Sequence, residues 1–349
     1  MKYEETLALI KNADSAVIAQ AKTNWNNVAK PLYSLGMLEE AIIRIAGAMG
    51  KDRFEFEKPM VLVFCADNGV VEEGISQSDH SVTTAVANAL IEDNSNVNIM
   101  AKTCGAAVTC YDAGMVDDVC ISPKEKCHGT KNIAKGPAMT KEECIRAIEL
   151  GINAVAEHKA KGSNIVAIGE MGIGNTTTST AIISAVTGAS VESITGRGSG
   201  LSDEGLNRKI NVIKKAIELN QPDINDGVDI LSKIGGFDIA AMCGACLGGA
   251  ALGVPVILDG VISQAAGLVA YIINPAVKDY LIASHVSKES AGRLVLEKLG
   301  LNAPIQANMA LGEGTGAVAL IPLLKMANAV YSGTHSFESI NIDQYTDQK

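Results

Sequence analysis

Residues 164–188 constrain the fold of this chain more than any other stretch. They open with an apolar run, Ile165 to Ile168, which predicts a buried strand of a parallel sheet. A helical pattern follows from Asn175, and Gly188 is a natural stop for it. Because a strand that turns directly into a helix is the repeating unit of α/β proteins, this stretch predicts an α/β fold.

The turn between that strand and helix, residues 169–174, contains three glycines and one carboxylate, Glu170. Glycines allow backbone N–H groups to face a ligand closely, and Asn175, Thr176 and Thr177 lie where the helix begins. Free amides and hydroxyls at a helix N-terminus favour an anion, most often phosphate. An ordinary strand–helix connection explains the glycines equally well, so the residues alone leave both interpretations open.

The same alternation of short apolar runs and helical patterns continues along the chain, and it predicts a mostly parallel sheet. The runs that predict buried strands are residues 59–66, 107–111, 165–168, 254–258 and 280–282. Between the first two, residues 81–102 have a helical pattern. The chain lacks the P-loop sequence and has no dinucleotide-binding glycine motif after its first strand, so neither of those nucleotide folds is indicated.

Charge and hydropathy exclude several classes of function. The net charge of −10, with no basic stripe to offset it, argues against a nucleic-acid-binding protein. No uninterrupted apolar run reaches membrane-spanning length, which predicts a protein that does not associate with membranes. The sequence after Met1 is amphipathic and differs from a signal peptide, so we expect a cytoplasmic protein with reduced thiols.

Two of the eight cysteines, Cys243 and Cys246, have the spacing of a redox or metal-binding pair. They stand in a run of small residues with no second pair and no histidine nearby. That context favours a tightly packed helix in which both thiols are small core residues. The sequence assigns them no further role.

Polar residues at the ends of predicted strands are candidates for a binding site, because ligands of open parallel sheets bind at the carboxyl ends of the strands. Asp67 follows the strand predicted over residues 59–66, and it could line such a site or only cap the next turn. Glu170 and Glu313 each stand beside glycines at a predicted strand-to-helix turn. If the two turns converge, a buried pair of carboxylates has raised pKa values that suit a general base.

Further candidates could bind an anion. Residues 196–200 form a second glycine-rich turn, and the helix predicted after it carries Lys209. His285 could serve as an acid or a phosphate partner, although a lone histidine after a strand is more often structural. The irregular segment over residues 115–137 could be a solvated loop or a lid over an anionic substrate. Its clustered basic residues are Lys124, Lys126, His128, Lys131 and Lys135.

A series of sequence blocks, in one order over residues 30–321, carries a family resemblance. The blocks are Cys65-Ala66-Asp67, Gly136-Pro137-Ala138-Met139, Gly169-Glu170-Met171-Gly172 with Asn175-Thr176-Thr177, residues 226–238, Leu258-Asp259-Gly260, Ser284-His285 and residues 311–316. They resemble the nicotinate-nucleotide–dimethylbenzimidazole phosphoribosyltransferase family, which activates the lower-ligand base of cobamides. So many blocks in a shared order argue strongly against chance.

The resemblance implies that a base displaces nicotinate from C1′ of nicotinate mononucleotide, with inversion, to give an α-ribotide. It implies Glu313 as the general base that deprotonates the incoming nucleophile, with Glu170 as the second catalytic carboxylate. No metal or redox cofactor is implied. The implied contacts of the ribose and phosphate are Gly172, Gly174, Asn175, Thr176, Thr177, Gly198, Lys209 and Ser284. The implied acceptor pocket consists of Asp67, Asn68, Ser78, Met171, Asp259 and Leu311.

The family fold is α/β, with a Rossmann-like, mostly parallel sheet, helices on both faces and a smaller helical domain. On that basis residues 1–55 contribute helices to the small domain, residues 56–325 form the large catalytic domain, and residues 326–349 return to the small domain. The resemblance also implies a dimer, formed with a second copy or with a homologous subunit. The implied partners are otherwise the two small-molecule substrates, with no nucleic acid and no membrane.

The chain departs from the family pattern around the acceptor base. The family usually has proline at Leu32, histidine at Asn68 and arginine at Ala310, and a glutamine common near residues 84–86 is absent. These changes spare both glutamates and the glycine turn. We therefore expect retained transfer chemistry with an altered acceptor pocket, which could accept a phenol in place of a benzimidazole. A catalytically silent partner subunit and a nucleotide-binding protein without catalysis remain as alternatives.

Overall fold

The computed structural model describes residues 1–119, 121 and 128–347. Its central sheet has five strands: β1 (Met60–Ala66), β2 (Ala107–Gly114), β3 (Val166–Met171), β4 (Val256–Leu258) and β5 (Leu281–Ala283). Their order across the sheet is β2-β1-β3-β4-β5, and every neighbouring pair is parallel. The predicted α/β fold with a mostly parallel sheet is confirmed.

Both faces of the sheet are covered, as its unbroken apolar strands require. In β1, the side chains of Leu62 and Phe64 enter one buried apolar cluster, and those of Val61 and Val63 enter the other. This alternation is the period of two that a strand imposes on its side chains. Burial on both faces therefore explains why these runs contain so few polar residues.

The α-helices of the described residues connect the strands and cover both faces. They are α1 (Tyr3–Leu9), α2 (Ser15–Asn27), α3 (Met37–Met49), α4 (His80–Ile91), α5 (Asn96–Cys104), α6 (Lys141–Ala160), α7 (Asn175–Thr187), α8 (Val191–Ile194), α9 (Asp203–Asn220), α10 (Gly227–Ile234), α11 (Phe237–Leu252), α12 (Val261–Ile273), α13 (Ser290–Leu299) and α14 (Thr315–Gly333). Within the described ranges, none of these helices combines the length and the hydropathy needed to cross a bilayer.

The helical pattern predicted over residues 81–102 is confirmed, and the structure divides it into two helices, α4 and α5. The chain turns between them at Asp93, whose φ of 57° is left-handed. Ser95 then starts α5 by forming a capping box with Asn98. The break lies within residues 92–96, which are all polar.

Strand β3 is longer than the predicted run, since Gly169 and Glu170 pair with β1 instead of forming the start of a turn. A Cβ at position 169 would lie 2.4 Å from the backbone of Glu313. Only glycine permits so close an approach of two backbones within a strand. The strand therefore carries Glu170 to its carboxyl end, and the turn is confined to residues 172–174.

The two ends of the chain meet beside the sheet. Trp25 in α2 packs against Tyr331 in α14 with the ring centroids 5.0 Å apart. Val28 and Ser336 form an antiparallel bridge, and α3 also packs against α14. These contacts are compatible with a small helical domain built from both ends, whose boundaries after residues 55 and 325 stay predictions.

Helices α6 and α11 pack closely because small residues line their contact. A Cβ on Gly244 would lie 1.9 Å from the carbonyl oxygen of Ile148. Cys243 and Cys246, on either side of Gly244, are free thiols with no exposed surface. They are core residues of a tightly packed helix, which is the outcome that the small-residue run predicts.

We expect Gly244→Ala to lower the free energy of unfolding by about 2–3 kcal/mol, because the added methyl group forces α6 and α11 apart. The matched control is Gly136→Ala, since a Cβ at Gly136 meets no atom within 4 Å. Denaturant unfolding of the two variants measures the difference. Equal unfolding midpoints would contradict the close helix contact.

Candidate active site

A cavity of about 230 Å³ opens outside the carboxyl ends of β3, β4 and β5. Open parallel sheets bind their ligands at these ends. The wall combines the turn after β3, the start of α12, the segment after β5 and the loop before α14. The predicted site residues on this wall are Glu170, Met171, Gly172, Gly174, Asn175, Thr176, Gly198, Asp259, Leu311 and Glu313.

Glu170 is buried in this wall at the end of β3. Its Oε2 accepts a hydrogen bond from Asn175 Nδ2, which also donates to Asp238 Oδ2 at 2.8 Å. Burial, and then the charge of Asp238, raise the pKa of Glu170 to about 8. Burial also raises the pKa of Asp238 to about 6, against the Asn175 hydrogen bond. Glu170 therefore holds a proton near neutral pH.

Glu313 reaches the same cavity from the loop that precedes α14. Its Oε1 accepts a hydrogen bond from Asn96 Nδ2 at 3.0 Å, and its Oε2 accepts one from the backbone N–H of Val97 at 3.2 Å. The backbone of Glu313 is left-handed, with a φ of 59°, between Gly312 and Gly314, whose φ values are both 90°. A left-handed glutamate is strained, and strain of this kind is concentrated at functional sites.

Asp259 holds the loop that carries Glu313. Its Oδ1 accepts hydrogen bonds from the backbone N–H groups of Gly316 and Ala317, at 2.7 and 3.1 Å. Its Oδ2 accepts one from Gly314 at 3.2 Å. Burial raises the pKa of Asp259 to about 6, although these hydrogen bonds act in the opposite direction. The carboxyl group thus caps the first turn of α14 and positions the loop.

The start of α7 forms another part of the wall. Gly174 caps this helix with a φ of 97°, and Thr176 lies in its first turn. Lys209 is buried behind Thr176, and its Nζ donates to Thr176 Oγ1 at 2.7 Å. Burial lowers the pKa of Lys209 to about 8, while the charge of Glu289 acts in the opposite direction. A buried cation beside a helix N-terminus is arranged to bind an anion.

The glycine-rich turn over residues 196–200 joins this group at Gly198. A Cβ there would lie 3.2 Å from Thr176 Oγ1 and 3.5 Å from Lys209 Nζ, and its φ of 51° is left-handed. The turn links α8 to α9. The turn therefore follows a helix instead of a strand, and it reaches the cavity at Gly198.

The other predicted residues are all described by the structure and lie off the wall. They are Asp67, Asn68, Ser78, Thr177, Lys209 and Ser284. Asp67 Oδ2 accepts from the backbone N–H of Val116 at 2.8 Å, which is the turn-capping role left open by the sequence. Asn68 Nδ2 donates to the carbonyl oxygen of Ile173 at 3.4 Å. Thr177 is fully buried within α7.

His285 lies on the wall after β5. Its Nδ1 is 3.0 Å from Ser284 Oγ and 3.9 Å from Asp259 Oδ1. Burial lowers the pKa of His285, while a hydrogen bond with the Met309 backbone acts in the opposite direction. A neutral imidazole therefore faces the cavity near neutral pH.

The basic segment offers no cation to the wall among its described residues. Lys135 pairs with Glu72 at 2.6 Å, and both side chains are exposed. Lys124 and Lys126 lie outside the described residues, so the lid interpretation stays a hypothesis.

Two side chains that support the glutamates were not identified as site residues from the sequence. Asp238, in the first turn of α11, shares the amide of Asn175 with Glu170. Asn96, at the start of α5, donates a hydrogen bond to Glu313, which lies 217 positions later in the sequence. Asp238 lies two residues after the Gly235-Gly236 pair at a helix start, which is a detectable signal. Asn96 gives no such signal, because the predicted helix over residues 81–102 covers it.

Glu170→Gln is expected to make stability less dependent on pH. The pKa of Glu170 in the folded protein, about 8, lies above its ordinary value of 4.5. Protonated Glu170 therefore contributes fully to the free energy of unfolding below about pH 4.5, and this contribution is lost as pH rises through about 8. Between about pH 5 and about pH 9 the wild type should lose more stability than the variant. The difference in melting temperature, variant minus wild type, should therefore increase by roughly a few degrees over that range. Glu218→Gln, at an exposed position on α9, is the control. Identical pH dependence in wild type and Glu170→Gln would contradict the raised pKa.

Comparison with protein families gives one match over most of the chain. Residues 10–342 match the DBI_PRT family, described as Phosphoribosyltransferase. A nicotinate-nucleotide–dimethylbenzimidazole phosphoribosyltransferase from Acetivibrio thermocellus is 45% identical over 347 residues, which cover 99% of each chain. A protein of the same name from Ruminiclostridium cellulolyticum is 40% identical over 349 residues, again covering 99% of each chain.

Solved structures agree with the sequence comparisons. Two structures from Thermus thermophilus, one described as CobT and one as the same phosphoribosyltransferase, superpose with TM-scores of 0.88 and 0.89. Each is 34% identical and covers 95% of this chain and 100% of the solved chain. The structural similarity therefore extends over most of the chain.

Proposed function

Because the chain belongs to the nicotinate-nucleotide–dimethylbenzimidazole phosphoribosyltransferase family, we propose that it moves the 5-phosphoribosyl group of nicotinate mononucleotide to an aromatic lower-ligand base. Nicotinate leaves and an α-ribotide forms. One observation supports this most directly. Two buried carboxylates, Glu170 and Glu313, share a cavity with the anion-binding arrangement at Thr176.

The phosphate of the mononucleotide is proposed to bind at the start of α7. The helix N-terminus, the Thr176 hydroxyl and the turn at Gly198 surround this position, and Lys209 supplies positive charge from behind Thr176. A phosphate dianion favours the charged form of the buried Lys209 ammonium. Anchoring the phosphate holds C1′ of the ribose within the cavity, where the second substrate binds.

Transfer breaks the bond from C1′ to the pyridinium nitrogen and forms a bond from C1′ to the acceptor. The pyridinium ring already carries a positive charge, so it leaves with the electron pair as neutral pyridine and needs no acid. The acceptor loses its proton to the Glu313 carboxylate, the proposed general base. Asn96 and Val97 position that carboxylate by hydrogen bonds to both oxygens.

Glu170 is proposed to support this chemistry in its protonated form. Its pKa of about 8 keeps it neutral near neutral pH, so it adds no further negative charge to the carboxyl groups of Asp238 and Asp259. A neutral Glu170 also leaves Glu313 as the proton acceptor.

The acceptor is proposed to be a flat aromatic molecule. The cavity wall contains apolar side chains suited to a ring, and they are Ile75, Met171, Val261, Ile262, Met309 and Leu311. Ala310, where relatives of this family usually carry arginine, also lies on the wall and leaves space there. Benzimidazole-type and phenolic acceptors both present an N–H or O–H group that a carboxylate can deprotonate.

Nicotinate release by the purified chain tests the proposal. The chain is incubated with nicotinate mononucleotide and, in separate reactions, with benzimidazoles, purines and phenols. We expect release that requires an acceptor, and the preferred acceptor class identifies the pocket. If the chain binds the mononucleotide but releases nicotinate in none of these reactions, transfer is contradicted and a nucleotide-binding protein is favoured.

We propose a dimer of identical or homologous subunits, and two measurements examine this assembly. Light scattering after gel filtration gives the mass of the purified chain. Activity of the chain alone supports a self-sufficient enzyme. Release of nicotinate only after a homologous chain is added would instead assign this chain as a partner subunit.

A further inference from the structure

A second cavity, of about 290 Å³, lies beside the candidate active site. Two cations, Lys288 and Arg293, lie on its wall. The remaining wall residues are Val286, Ser287, Ser290, Gln306 and Asn308. Among the residues that the structure describes, no Asp or Glu lines this cavity, although the chain has a net charge of −10. Its chemistry is therefore that of an anion site.

The two cations have no carboxylate partner in the described part of the chain. Some other exposed cations are paired: Lys214 with Glu192, and Arg197 with Asp203. Glu289 is adjacent to Lys288 in sequence, but its carboxylate packs against Gly196 and lines the other cavity. Within the described residues, no carboxylate therefore forms an ion pair with the two cations of this second cavity.

Helix α13 adds to this charge because it starts at Ser290, on the wall of the cavity. The helix has ten residues, and its cap, Glu289, makes no side-chain hydrogen bond to the first turn. The backbone N–H of Gly292 donates to the carbonyl oxygen of Glu289 at 3.0 Å, and no described side chain accepts from the N–H groups of Ser290 and Ala291. A tetrahedral anion can accept from them while it binds the Arg293 guanidinium.

The cavity is connected to the catalytic loop. Ser287 lies on the walls of both cavities. The backbone N–H of Lys288 donates to the carbonyl oxygen of Met309 at 3.1 Å, and Met309 begins the stretch of the active-site wall that ends at Glu313. An anion bound by Lys288 would therefore sit next to the segment that holds the proposed base.

We propose that the cavity at Lys288 and Arg293 is a binding site for a phosphate group, separate from the phosphate position at Thr176. The ligand is inorganic phosphate or the phosphate of a small phosphomonoester, since both present the same dianionic oxygens. The site does not depend on the proposed transfer reaction. Among the described residues, none on this wall forms a hydrogen bond or ion pair with Glu170 or Lys209, although Ser287 also lines the active-site cavity.

Calorimetric titration at constant ionic strength tests this site. Lys209→Met is the starting protein, because it weakens the other phosphate position. Inorganic phosphate and ribose 5-phosphate are titrated separately into this protein and into a triple variant that also carries Lys288→Gln and Arg293→Gln. We expect one bound phosphate in Lys209→Met, and affinity lower by about tenfold or more in the triple variant for both ligands.

The matched control adds Lys298→Gln to Lys209→Met, because Lys298 is an exposed cation on the same helix and lies off the cavity wall. That control should bind phosphate as Lys209→Met does. Absence of phosphate binding in Lys209→Met would overturn the proposal. Equal affinity in the triple variant would also overturn it, and equal melting temperatures establish that the variants are folded.

Discussion

Glu313→Gln is expected to lower kcat for nicotinate release by about two to four orders of magnitude, the usual contribution of a general base. An amide cannot take the proton of the acceptor. It also places an N–H₂ group against one of the two donors, Asn96 Nδ2 or the Val97 N–H, that bind the carboxylate in the wild type. KM for nicotinate mononucleotide should change little, because the proposed phosphate contacts are intact. Steady-state kinetics separates the two parameters.

Two further variants distinguish a base from a structural carboxylate. Asn96→Ala removes one hydrogen bond to Glu313, so a smaller loss of kcat is expected, on the order of tenfold. Glu170→Gln removes the group that is already protonated near neutral pH, so it should retain more activity than Glu313→Gln. If Glu170→Gln loses more activity than Glu313→Gln, the base is Glu170 and the proposed roles are reversed.

Lys209→Met is expected to raise KM for nicotinate mononucleotide by about tenfold to a hundredfold, because a charge-assisted contact to phosphate is lost. Its effect on kcat should be small. The melting temperature should stay equal or rise, since the variant removes a buried cation that no described carboxylate pairs with. A loss of binding without a loss of stability identifies a ligand-binding charge.

The ligand that lacks the phosphate provides the control for Lys209. Nicotinic acid riboside should bind wild type and Lys209→Met with the same affinity, because the difference between the proteins concerns only the phosphate. Lys215→Met, at an exposed position of the same helix, should leave both affinities unchanged. Equal weakening of riboside and mononucleotide in Lys209→Met would show that the lysine does not recognise the phosphate.

The sequence predicts the sheet well because its strands are buried on both faces and therefore consist of unbroken apolar runs. It predicts the boundary between α4 and α5 poorly. The break lies in the polar run over residues 92–96, and its bounds depend on the left-handed turn at Asp93 and the cap formed by Ser95. The end of β3 is missed for a different reason. Gly169 suggests a turn, yet it serves close backbone packing against Glu313, which no local pattern reveals.

The candidate site shows the same division between local and distant information. Glu170 and Glu313 are recognisable because each stands among glycines at a strand-to-helix turn. The position of Asn96 beside Glu313 depends on packing between elements far apart in sequence. Asp259 illustrates a third case, since its place after β4 is predictable but its role as the cap of α14 is visible only in three dimensions.

The most direct measurement is ¹H NMR of the C1′ proton during incubation of the wild-type chain with nicotinate mononucleotide and dimethylbenzimidazole, with phenol in a parallel reaction. Transfer with inversion predicts that nicotinate and an α-ribotide appear in equal amounts, and that neither appears without an acceptor. Nicotinate release accompanied by ribose 5-phosphate would contradict the proposed function, because water would then be the acceptor. A β-ribotide would contradict direct displacement at C1′.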